Sequence, residues 1–511
     1  MNTIFDILVN SVNGILTCIN PFSLFMIIGG LLLGMVTSAL PGLTLITGII
    51  LVLPFTYSMD ATNAIILITA IYLAGTYGGV FPAVLFKIPG DPTAVPLVWD
   101  GYPMAQKGQA ALALGWTLYA AVFGGLFAAI LMVLVSEPLA KVALSFSSPE
   151  YFAIVFLGLT SVLVLGSGKI RHSVVSLALG LLIASIGIDG MFGVDRFTFN
   201  TSLLRSGVDY LIVLVGIYAV AEIFARLEKG FGTSCFKLDK DVGTTMPSFR
   251  EVRAQLPCLI RGSILGTFIG FIPGAGATVA AFLNYGVEKQ YGHNRKMMGK
   301  GAPEGLISTQ TGATGSVGGA LIPLLTLGIP GSGATAIILG AFMMHGIQPG
   351  PGIFFTNGDM IYAIYASLFI GLLLMAIMGY LAVKPVIKVL QAPEAVTAAF
   401  ILVLCCIGSF ALRNNIQDVW MLFIFGMLGY LLDRFEYPIA PLVLGVILGP
   451  LAERSFLTTM VSFHNDCTVF FTRPISGVFM IISIVSLLVA VFLPLWKEYK
   501  QNTSIEDNVP N

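Results

Sequence analysis

The chain has 511 residues, 56% hydrophobic and only 10% charged, with 26 basic and 26 acidic side chains and a mean hydropathy of +0.92. A water-facing globular surface needs about 25% charged residues, so composition excludes a soluble enzyme and a disordered scaffold. The balanced charge excludes a binder recruited by a polyanion's field. An all-α polytopic membrane protein is expected, and its 57 Gly and 26 Pro suit membrane helices that pack closely or break.

In chain order, the opening Met1–Asn20 has no Lys or Arg and carries Asp6, so no cleavable signal peptide is expected. Apolar runs near 22–40, 43–57 and 62–86 come first, then 110–135, 150–166, 172–188 and 207–226. After a polar stretch follow 255–272, 275–288, 315–329, 333–347, 360–382, 395–412, 417–432, 438–450 and 475–496. A full span takes about 20 residues, and several runs are short or broken, which predicts about 12 spans. The stretches Ala225–Arg253 and Glu288–Pro303 are basic and are assigned to the cytoplasm. A polar tail follows at 497–511. The six cysteines lack CxxC spacing and read as small buried hydrophobes.

An internal repeat organises the chain. Gly30-x3-Gly34-x6-Pro41-Gly42 matches Gly262-x3-Gly266-x6-Pro273-Gly274, an offset of 232. Pro82-x6-Pro89-Gly90 matches Pro323-x6-Pro330-Gly331, an offset of 241, so copy two holds a nine-residue insertion. We divide the chain into a first half (1–224, hairpin 22–57, second break 78–104), a basic linker (225–254) and a second half (255–496, hairpin 255–287, second break 308–351). Segment 255–287 is flanked by basic loops and reads as a hairpin entering from the cytoplasm. No Lys or Arg precedes Lys87, so hairpin 22–57 is assigned to the opposite face. Opposed hairpins make an inverted-topology repeat, the architecture of secondary transporters.

The Pro-Gly breaks carry the chemistry. Proline removes a donor, and glycine permits conformations that leave backbone groups unpaired. At membrane depth such groups are tolerated only beside protein or a wet cavity. The half-helix after a break aims free amides and a positive dipole end at the gap; the preceding half ends in carbonyls suited to a cation such as sodium. An organic anion is therefore expected on Ser38, Pro41, Gly42, Thr44, Pro89, Gly90, Pro273, Gly274, Gly276, Thr278, Pro330, Gly331 and Ser332. Asp91, Thr93, Gln310, Thr314 and Thr335 are expected near the coupling cation. For any one hydroxyl, a bond back to its own helix turn is the plainer alternative.

The uncharged polar stretch Ser308–Ser316 is expected to line the cavity. Lys87 is placed to pair with Asp91, or to face substrate while Asp91 faces the cation; Asp100 is expected to cap the next helix; Glu222 sits near a helix end. No metal-ligand spacing joins the four histidines, and HExxH is lacking. Gly166-Ser-Gly-Lys169 resembles a P-loop end but has Leu163 and Ile170 where Gly and Ser/Thr belong. Neither an enzyme nor a cofactor is expected, and transport would draw on an ion gradient.

Several motifs together resemble one family. Pro273-Gly-Ala-Gly-Ala-Thr278, the run Gly319–Gly331, His345-Gly-Ile-Gln-Pro-Gly-Pro351, Asp100-Gly-Tyr-Pro-Met104, Asn414–Trp420 and Ala440–Pro450 are similar to the TctA-like large membrane subunit of the tripartite tricarboxylate transporters, in order from about 20 to 495. The resemblance implies a bacterial inner-membrane subunit of about twelve spans. Its implied partners are a small four-helix membrane subunit and a periplasmic solute-binding protein that delivers a carboxylate. Uptake would be coupled to sodium or protons, with an elevator-like motion. Where the family usually has an acidic residue and an Asn-Asn pair, this chain has Gln310 and Ala313-Thr314, which implies altered coupling or specificity. The reading is a binding-protein-dependent carboxylate importer; a passive anion channel and a non-transporting receptor for a binding protein are the alternatives.

Overall fold

A computed structural model describes residues 4–40, 43–165, 170–189, 192–230, 243–390 and 394–488. The helices of the first part are α1 (Ile4–Ile19), α2 (Pro21–Ala39), α3 (Leu45–Thr56), α4 (Ala61–Gly78), α5 (Val80–Phe86), α6 (Val95–Gln106) and α7 (Ala110–Ala143). A 3-10 turn, Pro92–Ala94, leads into α6. Next come α8 (Ser148–Leu165), α9 (Ile170–Ala184), the strand pair β1 (Gly187–Ile188) and β2 (Asp195–Arg196), α10 (Ser202–Arg205), α11 (Tyr210–Val215) and α12 (Ala221–Lys229). The later helices are α13 (Phe249–Phe271), α14 (Gly276–Tyr291), α15 (Pro303–Leu327), α16 (Gly333–Met344), α17 (Ile353–Thr356) and α18 (Gly358–Leu381). Then follow α19 (Val383–Leu390), α20 (Glu394–Arg413), α21 (Ile416–Arg434), α22 (Ile439–Ser462) and α23 (Val469–Thr472).

The protein is all-α and polytopic. Among the described residues eight helices are long and apolar enough to cross a membrane, and shorter apolar helices accompany them. The difference from the expected twelve lies partly in the short helices that follow the breaks. α3 and α16 have 12 residues each, about 18 Å at 1.5 Å per residue, against a hydrocarbon core of about 30 Å.

The chain forms two compact units, 1–144 with 211–431 and 145–210 with 432–511. In the first, α2 packs on α4 and α13 on α15 through matching glycine contacts. A Cβ at Gly30 would lie 2.6 Å from the Leu67 carbonyl oxygen, and one at Gly34 would strike that of Ile71. A Cβ at Gly262 would meet the Thr311 side chain and lie 3.5 Å from the Ser308 carbonyl oxygen; at Gly266 it would lie 2.6 Å from that of Gly312. The sequence offsets of 232 and 241 relate each pair to the other. Small residues let helices approach to backbone contact, where dispersion holds them without hydrophobic drive.

Caps also recur. α5 ends at Lys87 (φ 62°), where the Ile88 amide reaches back to the Pro82 carbonyl (3.3 Å). α15 ends at Gly328 (φ 72°), with Ile329 bonded to Pro323 (3.2 Å). Both helices end on a left-handed residue, and these bonds close carbonyls that would otherwise be bare. α13 begins at Phe249, held by a capping box of Ser248 and Glu251. Arg250 and Arg253 therefore lie in its first turns, and this helix starts earlier than the expected residue 255.

In the second unit α22 packs against α8 and α9. A Cβ at Gly180 would strike the Leu442 carbonyl, and one at Gly445 would lie 2.8 Å from that of Leu177. Glu150, 2% exposed, accepts from Arg473 Nε (2.6 Å) and from the Ser147 amide and hydroxyl. Arg196 pairs with Glu453 and Asp189.

Candidate functional site

The first unit holds a cavity of about 160 Å³ at which four helix beginnings converge: α3, the 3-10 turn before α6, α14 and α16. Each beginning is set by local chemistry. Thr44 caps α3, its hydroxyl accepting from the Thr47 amide (3.3 Å), and Ser332 caps α16 in the same way through Thr335 (3.2 Å). Asp91 caps the 3-10 turn, Oδ1 accepting from the Thr93 amide (3.0 Å). The turn into α14 needs left-handed backbone at Gly274 (φ 82°) and Gly276 (φ 65°), which glycine adopts without Cβ strain. The Gly276 amide donates to the Gly331 carbonyl (3.2 Å).

Helix starts leave first-turn amides without intrahelical acceptors. Leu45 is satisfied by Asp91 Oδ2 (3.1 Å). The amides of Ile46, Ala277, Thr278, Gly333 and Ala334, all in residues lining the cavity, have no hydrogen-bond acceptor among the described residues. Asp91, 3% exposed, is the one charged side chain in the lining among the described residues, and the Tyr72 hydroxyl lies 3.2 Å from Ser332 Oγ. The site thus offers open amides, several hydroxyls and one carboxylate. That donor set suits a small anion, with acceptor oxygens to spare for a cation.

Of the expected site residues, Thr44, Asp91, Thr93, Gly274, Gly276, Thr278 and Ser332 line this cavity. Pro41 and Gly42 lie outside the described residues, as does Gly166-Ser-Gly-Lys169. Ser38, Pro89, Gly90, Pro273, Pro330, Gly331 and Thr335 stand behind the wall. At Gly90 and Gly331 the absence of a Cβ makes room for a neighbouring carbonyl. A Cβ at Gly90 would strike the Ser38 carbonyl, and one at Gly331 would lie 2.5 Å from that of Gly270.

Gln310 and Thr314 are also outside the lining. Gln310 Nε2 donates to Thr314 Oγ1 (2.9 Å) and to the Thr76 carbonyl (3.2 Å), tying α15 to α4. The whole 308–316 stretch, expected in the cavity wall, is instead buried in mid-α15 between neighbouring helices. Apart from that of Thr314, its hydroxyls return to their own turns, as Thr309 does to Gly305 and Thr311 to Ile307 (both 2.7 Å). Small polar residues with self-satisfied hydroxyls make a helix–helix contact as well as a cavity wall.

Three further expectations change. Lys87 does not pair with Asp91; its Nζ lies 5.8 Å from the Tyr102 ring centroid. Glu222 pairs with Arg226 one turn on (3.0 Å). Asp100 lies inside α6 and does not cap the next helix. Its Oδ1 accepts from the amides of Gly299 (2.8 Å), Gly301 (2.9 Å) and Ala302 (2.8 Å), and its Oδ2 from the Tyr285 hydroxyl (3.0 Å). It thus anchors the loop before α15, and Lys107 Nζ adds a bond to the Lys300 carbonyl (2.6 Å). The sequence signal was an acid in mid-helix; its partner loop lies some two hundred residues away. Tyr72, Ala277 and Ala334 also line the cavity and were not expected there; the two alanines offer it only an apolar side chain and their backbone.

The family model of the tripartite tricarboxylate transporter TctA family matches residues 24–444. The chain belongs to the TctA family. It is therefore a tripartite tricarboxylate transporter subunit, a multi-pass membrane protein of a transporter family rather than an enzyme family. A relative from Agrobacterium vitis, described as an uncharacterized 52.8 kDa protein in the TAR-I ttuC' 3' region, is 32% identical over 98% of this chain and 100% of its own length. Another from the same organism, described as an uncharacterized protein in the TAR-II ttuC' 3' region, is 35% identical over 48% of this chain and all of its own. No solved structure matches the chain.

Proposed function

We infer that the chain is the large transmembrane subunit of a secondary, ion-gradient-driven importer of organic carboxylates in a bacterial inner membrane. Its partners are a small four-helix membrane subunit and a periplasmic solute-binding protein. The observation that carries this is the convergence of four helix starts on one cavity, with first-turn amides left open and a buried carboxylate beside them. Amides and dipole ends favour the substrate anion; Asp91 and the hydroxyls of Thr44 and Thr93 favour sodium or a proton. The matching glycine contacts and helix ends support two copies of one unit. The basic flanks of α13–α14 and the neutral flanks of α2–α3 support their opposite orientation, as an elevator-like carrier requires.

Uptake of labelled carboxylates by cells expressing the chain with and without both partners tests the proposal, with sodium present, sodium removed, or the proton gradient collapsed. Uptake that requires partners and gradient is expected; flux that survives collapse of both gradients means a channel. Gly276→Leu, placing a side chain at φ 65° with its Cβ 3.1 Å from that of Ser332, is expected to abolish uptake while the protein stays in the membrane. Single cysteines at Tyr57 and Tyr291, both exposed, are expected to label from opposite faces. Labelling from one face rejects the inversion.

A further inference from the structure

The two halves of the cavity differ in one respect that bears on substrate class, an inference that rests on the organic-anion reading above. Under the offsets of 232 and 241, Leu45 corresponds to Ala277, Thr93 to Ala334 and Asp91 to Ser332. Asp91 and Ser332 are both helix N-caps in extended conformation (φ −135°, ψ 153° and φ −157°, ψ 168°). In the first half, the Asp91 carboxylate occupies the amides of Leu45 (3.1 Å) and Thr93 (3.0 Å). In the second half, Ser332 is too short to do the same. Its hydroxyl is engaged with Thr335 and Tyr72, and the amides of Ala277 and Ala334 line the cavity without an acceptor among the described residues.

We propose that a single substrate carboxylate docks on the Ala277 and Ala334 amides, in the posture that Asp91 already takes on Leu45 and Thr93. Asp91 is then a specificity determinant. It fills the equivalent amide pair of the first half and sets a carboxylate across a cavity of about 160 Å³. Among the described residues no Lys, Arg or His stands in the lining to offset a second or third carboxylate. The class selected is a small organic acid held through one carboxylate, its remainder carrying neutral hydrogen-bonding groups that meet Asp91 and the hydroxyls, in preference to a tricarboxylate.

The test is binding of lactate, malate and citrate, each as the sodium salt, to the full-length chain in nanodiscs by calorimetry. These three share a hydroxyl and differ in carboxylate count. Wild type is expected to bind lactate at least about tenfold more tightly than citrate, because each added carboxylate faces Asp91 at short range in a poorly screened site. Ser332→Asp supplies a carboxylate to the open amide pair and is expected to abolish lactate binding. Asp91→Ser frees the second pair and is expected to raise malate affinity relative to lactate about tenfold or more.

Citrate binding as tight as lactate in wild type overturns the proposal, as does Ser332→Asp binding lactate at wild-type strength. Either outcome leaves the anion site standing, because wild type still binds a member of the panel. Absence of binding by wild type across all three removes the anion-site reading itself and the proposal with it. If Ser332→Asp does not yield folded protein, the wild-type ranking and the Asp91→Ser ratio decide.

Discussion

Asp100→Ala is expected to release the loop that precedes α15. The carboxylate satisfies three backbone amides and one phenol. On its removal, water can reach the exposed Gly299 and half-buried Gly301 amides, but Ala302 and Tyr285 are 2% and 3% exposed. A buried donor left unsatisfied costs about 1–3 kcal/mol, so two of them weaken the closed loop by about 4 kcal/mol. That raises its open population by about a thousandfold. The loop carries Arg295, Lys296 and Lys300, all exposed, so tryptic cleavage reads the open population directly while reclosing outpaces cutting. Asp100→Asn is the finer probe. Its carbonyl oxygen can keep the three amides while its amide donates to the Tyr285 hydroxyl, so only charge assistance is lost. About 1 kcal/mol, or roughly fivefold, is expected. Cleavage of the Ala variant at the wild-type rate would refute the anchoring role. Equal rates for Ala and Asn would show that charge, not acceptor geometry, holds the loop.

Gly266→Leu would drive Cβ to 2.6 Å from the Gly312 backbone, whereas a Cβ at Gly286 meets nothing within 4 Å. Loss of the monodisperse peak on size exclusion is expected for the first and a normal profile for Gly286→Leu. Arg473→Met leaves Glu150 buried without its cation. A half-exposed arginine tempers the usual cost to about 2–4 kcal/mol, seen as a lower denaturation midpoint and partly recovered by adding Glu150→Gln. Tyr72→Phe removes the hydroxyl beside Ser332, a bond worth about 0.5–1.5 kcal/mol. It should weaken substrate binding by up to about tenfold in a direct titration, with the unfolding midpoint little changed.

Helix-scale features were legible from the sequence because local chemistry writes them. The Pro-Gly pairs mark breaks, and the spacing of Gly30, Gly34, Gly262 and Gly266 marks crossing points; Thr44 and Ser332, read only as hydroxyls beside the breaks, are helix caps as well. Choosing between two uses of one residue was harder. Gly90 and Gly331 look like amide donors in a list of breaks, yet both are packed against a carbonyl of the preceding hairpin arm. Thr309 and Thr311 look like cavity hydroxyls until their i−4 carbonyls are in view. Asp100 and Tyr285 are 185 residues apart, and no local pattern announces such a pairing. Open amides at Ala277 and Ala334 belong to residues whose side chains carry no signal.

The second unit is assembled from two stretches with most of the first lying between them in sequence. Gly180 of α9 rests on Leu442 of α22, so ribosomes must add 262 residues after one before the other exists. At about 5–20 residues per second, α8 and α9 wait roughly 15–50 s for the helix that covers them. For that interval the faces that α22 will cover, the Gly180 surface of α9 among them, are open to lipid, to the insertion machinery or to a neighbouring nascent chain. The order of synthesis therefore makes this unit the last to close and the one most exposed to premature termination.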